Sequence, residues 1–128
     1  MLLFWLGLGV ARADPATVAI SGRIAGASGK HVVHVCVWSA DNFLKTPTRE
    51  ITIAPGGELV WRLDVAPGRW AVSAYEDKND NGKLDVGAFG PKEPNGFWRP
   101  FKAWRAPRFD DVDQPVTAAI SDATVTLH

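Results

Sequence analysis

Residues 59–77 read Leu59-Val60-Trp61-Arg62-Leu63-Asp64-Val65-Ala66-Pro67-Gly68-Arg69-Trp70-Ala71-Val72-Ser73-Ala74-Tyr75-Glu76-Asp77. Leu59, Trp61, Leu63 and Val65 alternate with Val60, Arg62 and Asp64, the period of a strand with one buried face. Pro67-Gly68 turns the chain, and Trp70, Val72 and Ala74 resume the alternation. The rest of the chain repeats this grammar. Val18, Ile20 and Ile24 share a face of Thr17–Ile24. His31–Trp38 is almost continuously apolar, as expected of a central strand covered on both sides. Ile51 and Ile53 mark a short strand ended by Pro55-Gly56-Gly57. Val116–Ile120 and Ala123–Leu127 are expected to form a hairpin across Ser121-Asp122. About seven short strands with no helical period predict an all-β, two-sheet sandwich of immunoglobulin-like or transthyretin-like type.

The chain has 128 residues with 14 basic and 14 acidic side chains, so its formal net charge is zero. One domain fits that length. The balance excludes a globally basic nucleic-acid binder and an acidic disordered chain, and no nucleic-acid partner is expected. At 46% apolar residues the chain can build a core. Cys36 is the one cysteine, so no internal disulfide can form. Met1–Ala13 is an apolar run ending in Ala11-Arg12-Ala13, a small-x-small pattern that signal peptidase accepts. It is too short to span a bilayer, which takes about 20 apolar residues. The expectation is a signal peptide over 1–13, a single domain over 14–128 without a transmembrane helix, and a periplasmic or secreted location. Cys36 lies too far past the cleavage point to be a lipid anchor.

Residues 77–114 show no strand pattern, and loops longer than about 12–15 residues are uncommon unless functional or disordered. Phe89, Phe97, Trp98, Phe101, Trp104 and Phe109 make disorder the wrong reading. The segment opens Asp77-Lys78-Asn79-Asp80-Asn81-Gly82-Lys83-Leu84-Asp85, which matches the start of an EF-hand-type calcium loop. A hard cation takes six to eight oxygens. Asp77, Asn79 and Asn81 would supply side-chain oxygens, Lys83 its backbone carbonyl, and Asp85 an oxygen directly or through water. Gly82 allows the sharp turn. Position twelve, normally a bidentate Glu, is Ala88, and Glu93 or Glu76 would have to stand in. A strand leads in and Gly87 follows, so this would be a calcium loop grafted onto a β domain. With two carboxylates in the loop, affinity of the order of 10⁻⁴ to 10⁻³ M is expected. The other reading is an Asn81-Gly82 hairpin turn. The ion is preferred because a plain turn does not need Asp77, Asn79 and Asp85 together.

Pro67–Asn79, then Asn81-Gly82-Lys83-Leu84-Asp85, Phe89-Gly90-Pro91-Lys92-Glu93 and Gly96-Phe97 resemble the bacterial "domain of unknown function 2141" family. The resemblance runs from about Thr17 to Leu127 and is most specific over Pro67–Phe97. It implies export and a β-sandwich, and it implies no activity. The entry strand with its Pro-Gly turn is also similar to transthyretin-like and carboxypeptidase regulatory-like domains.

A second candidate surface follows. Trp98, Phe101 and Trp104 recur every third residue, as do Arg99, Lys102, Arg105 and Arg108. That is the polyproline II repeat, and Pro100 and Pro107 favour it. Such a ribbon would offer an aromatic edge and a cationic edge to acidic glycans or lipid head groups. The alternative is that the rings pack over a sheet while Asp110, Asp111 and Asp113 neutralise part of the charge.

His31 and His34 point to opposite faces of their strand and make no simple metal pair. His34 and Cys36 share a face with Val32 and Trp38, which reads as packing, so zinc is not expected. No nucleophile with an adjacent base is visible. The preferred reading is an exported non-catalytic sandwich with a calcium-binding-type loop, binding or stabilising an envelope glycan or protein. The alternatives are a calcium-dependent hydrolase of an envelope polymer using Asp77, Asp85 or Glu93, and a module docking on anionic membrane through residues 98–108.

Overall fold

The computed structural model describes residues 16–84, 86, 87, 90, 91, 93–103 and 105–128. The expected signal segment, 1–13, lies outside them, as do Asp85, Ala88, Phe89, Lys92 and Trp104. Among the described residues the chain is nearly all β, with 44% in strands and 4% in helix. In order the elements are β1 (Val18–Ala25), β2 (Val32–Trp38), β3 (Arg49–Ile53), β4 (Val60–Val65), β5 (Gly68–Asp77), β6 (Val86–Gly87), β7 (Gly90–Pro91), β8 (Asn95–Phe97), the one-turn helix α1 (Phe109–Val112), β9 (Asp113–Val116) and β10 (Val125–Thr126).

Two sheets form the expected sandwich. In the first, β1 lies between β4, antiparallel, and β10, parallel. In the second the order is β3-β2-β5, and two short strands share the far edge of β5. Gly68–Ala71 pairs with β9, and Ser73–Tyr75 pairs with β8. β6 and β7 make a separate small ladder. The alternation read from the sequence decides the faces. Trp61, Leu63 and Val65 point inward against Ile20, Ile24, Val33, Val35, Val37 and Val72, all buried. The other face of β2 is covered too, as its nearly continuous apolar run requires. Cys36, Trp38 and Ala71 lie under Phe43, Phe97, Phe101, Phe109 and Val112.

Two expectations are corrected. The C-terminal hairpin does not form. β9 stays in the second sheet, while Ile120 and β10 cross to run parallel to β1. Alternation fixes which side chains turn inward, here Ala123, Val125 and Leu127, but it is silent on the pairing partner. The 77–114 stretch is also not strandless, since it holds β6, β7, β8 and α1 and enters β9 at Asp113. In β8 the middle residue is Gly96, where a Cβ would sit 2.0 Å from the Thr126 carbonyl oxygen. The close approach demands a glycine, and glycine hides a strand from its pattern.

Candidate functional site

β5 ends in two carboxylates, Glu76 and Asp77, each only 1% exposed. Successive strand residues face opposite ways, so the pair reaches two different loops. Glu76 takes the β1–β2 loop. Its Oε1 accepts the Ser28 amide at 3.1 Å and its Oε2 accepts the Ser28 hydroxyl at 2.5 Å. Burial alone would raise its pKa, but the Ser28 donors and the His31 amide outweigh burial and hold it below the ordinary value. Asp77 takes the loop that follows it. Oδ2 accepts the Gly82 amide at 2.7 Å and Oδ1 accepts the Asn81 amide at 3.2 Å. Burial opposes the charge here too, yet these amides and His34 keep the carboxyl ionised below its usual range.

The loop curls tightly because Asp80 and Gly82 both adopt positive φ, 57° and 75°. Asn81 Oδ1 accepts the Lys83 amide at 3.0 Å, an Asx-type turn. Tyr75 grips the loop from the sheet, its hydroxyl donating to the Gly82 carbonyl at 3.0 Å. Burial pushes the Tyr75 phenol up, so it remains a donor. The Tyr75 ring stacks on His34 at 4.7 Å between centroids. His34 in turn bridges two carboxylates, with Nδ1 2.8 Å from Glu50 Oε2 and Nε2 3.3 Å from Asp77 Oδ2. Glu93, 6% exposed, accepts the Lys78 amide at 2.6 Å.

Of the expected cation ligands, the structure thus brings Asp77, Asn81 and Glu93 to the loop and its entry. Asn79 and Lys83 lie on its exposed arc, and Asp85 falls outside the described residues. Among the described residues no three His, Cys, Asp or Glu side chains are disposed to hold a metal ion together. A calcium loop also draws on Asn and backbone carbonyl oxygens. The Glu50–His34–Asp77 bridge and the Glu76 anchor were not read from the sequence. They depend on strand pairing, which places His34 opposite Tyr75 and Val32 opposite Asp77. Cys36 is buried, and burial, with the charge of Glu50, pushes its thiol up to about 12, leaving it no thiolate for nucleophilic work.

Among the described residues of 98–108 there is no regular structure before α1, and the Trp98 and Phe101 rings do not share an edge. Trp98 packs on the inter-sheet core and Phe101 on the outer cluster. Trp104 lies outside the described residues. Arg105 pairs with both Asp111 oxygens at 2.6 and 3.0 Å and lies over the Phe101 ring. Arg69 and Arg99 converge on Asp113, at 2.5 and 3.5 Å. Lys102 and Arg108 are exposed. The arginines hold Asp111 and Asp113 below the usual carboxylate range.

These depressed carboxylates set a pH dependence. A group whose folded pKa is lowered contributes stability that is full above its unfolded value and lost as pH falls through the folded one. Ordinary values are 3.8 for Asp and 4.5 for Glu. The melting temperature should therefore hold steady from neutral pH to about 5 and fall steadily below about 4. A melting temperature unchanged at pH 2.5 would show that these carboxylates contribute nothing.

Fold and site together define an all-β sandwich with one end built from polar loops tied to a central strand. The chain belongs to the family described as uncharacterized protein conserved in bacteria (DUF2141), which it matches over residues 19–123. Comparisons with curated proteins and with solved structures returned no match.

Proposed function

We propose that this protein is an exported, non-catalytic sandwich module of the bacterial envelope whose 77–85 loop binds calcium weakly and steadies a surface for an envelope glycan or protein. The carrying observation is the convergence of two buried carboxylates on the loop entry. Asp77 gathers the Asn81 and Gly82 amides, and Glu93 sits on the Lys78 amide. Glu93 thereby offers the carboxylate that position twelve, Ala88, lacks. In this reading Asn79, Asn81, the Lys83 carbonyl and Asp85 would add further oxygens of the kind a hard cation takes. Export rests on the signal-like Met1–Ala13 run.

Thermal melting in calcium and in chelator tests the reading. Free calcium at a hundred times its Kd adds about 2.7 kcal/mol. For a domain of this size that raises the melting temperature by roughly 10 °C. Asp77→Ala should abolish the rise. Equal melting temperatures and equal proteolysis of the loop, with and without saturating calcium, would overturn it.

A further inference from the structure

Beside the loop lies a cavity of about 190 Å³, lined by Lys30, His31, Val32, Pro55, Asp77 and Asp80. We infer that this cavity is a subsite for a carboxylate-bearing sugar, held between the loop cation and the Lys30–His31 wall. The inference rests on the calcium reading and deepens it by naming the ligand class.

Three connections meet here, at one end of the sandwich, where sandwich folds commonly place recognition loops. Each wall is tied to rigid structure. Glu76 fixes the β1–β2 loop through Ser28, and Asp77 fixes the 78–84 loop through Asn81 and Gly82. The β3–β4 turn is fastened to the β1–β2 loop by the Gly56 amide donating to the Gly29 carbonyl at 2.8 Å. Adjacent residues of one strand therefore fix two of the loops that line the cavity, the preorganisation that a binding site requires.

The wall chemistry selects the ligand. The lining mixes signs: Lys30 and His31 come from the β1–β2 loop, Asp77 and Asp80 from the end of β5 and the loop after it, and Val32 and Pro55 add apolar surface. Without a cation Asp77 and Asp80 repel an anion. A bound divalent ion is the largest local charge and reverses that sign. Calcium takes only oxygen donors, six to eight of them, and a position in that shell can go to a ligand hydroxyl. A sugar acid matches both demands. Its hydroxyls complete the ion's shell, and its carboxylate meets the Lys30 ammonium. An amine-bearing ligand is repelled by Lys30 and offers the ion no oxygen in that place. The cavity volume suits one saccharide unit.

Amide chemical-shift titration of the whole protein tests this in order. Calcium alone comes first and should move the amides of 77–83. Glucuronate is then added to the calcium-loaded protein, with glucose as the neutral counterpart, and both are repeated in chelator and in Lys30→Glu. Glucuronate should move the amides of 28–31 and 79–82, with affinity at least tenfold above glucose, and should lose at least tenfold in chelator and in Lys30→Glu. If calcium moves the loop but glucuronate binds no better than glucose, the sugar-acid inference falls and the calcium reading stands. If calcium moves no loop amide, the calcium reading itself falls. Glucuronate binding undiminished in chelator, or in Lys30→Glu, also overturns the shared site.

Discussion

Gly22→Ala is expected to destabilise the protein by about 3 kcal/mol, the upper end for forcing extra atoms into a packed interior. A Cβ at Gly22 would lie 1.9 Å from the Ala123 carbonyl oxygen, and the obstacle is backbone, which no rotamer change can move. Relief would need the C-terminal strap to lift off β1. That would cost the bonds from the Ser21 amide to the Ile120 carbonyl and from the Ala123 amide to the Ser21 carbonyl, at 2.8 and 3.0 Å. It would also uncover Ala123 and Val125, which are fully buried. Gly68→Ala is the control, since a Cβ there meets nothing closer than 3.7 Å, and it should stay within about 0.5 kcal/mol of the parent. Urea unfolding midpoints measure both. Equal midpoints for the two variants would mean the strap does not seat against β1 as described.

Asp77→Ala has the second largest expected effect, about 2 kcal/mol in the absence of calcium. The aspartate accepts two backbone amides and faces His34 Nε2, and bonds to a charged acceptor are the stronger kind. Two features keep the loss below the 3–5 kcal/mol typical of breaking a fully buried ion pair. Asn81 and Gly82 are exposed, so their freed amides can turn to water, and His34 retains Glu50. Asp77→Asn keeps an acceptor oxygen and should lose about half as much. Hydrogen exchange provides the local readout: the Asn81 and Gly82 amides should exchange faster in both variants while β2 amides remain protected. Unchanged exchange at those two amides would remove Asp77 from its role as the loop's anchor.

Side-chain period carried most of the fold. The alternations of β1 and β4 and the nearly continuous apolar run of β2 identify buried faces, because burial on one or two sides writes directly into residue type. Pairing was less visible. The crossing of residues 120–127 to β1 and the short β8 depend on contacts between segments far apart in the chain. The glycines that make those contacts possible carry no pattern of their own. The site divides the same way. Asp77, Asn81 and Gly82 are local, so a motif could name them. Spacing does not single out Glu93, and only the folded chain sets its carboxylate on the Lys78 amide. His34, Glu50 and Glu76 stayed hidden because their roles arise across strands and between loops. The 98–108 repeat was real in sequence, but Trp98 and Phe101 face different clusters, and periodicity by itself does not say what a ring packs against.

Terbium luminescence tests the central claim most directly, because terbium replaces calcium in all-oxygen sites and is excited by a nearby aromatic ring. Tyr75, bonded through its hydroxyl to the Gly82 carbonyl, lies against the loop. Excitation of the protein should yield sensitised terbium emission that calcium displaces with millimolar to submillimolar potency, and Asp77→Ala should lose it. Emission that calcium fails to displace, or that persists unchanged in Asp77→Ala, would contradict a calcium site in the 77–85 loop.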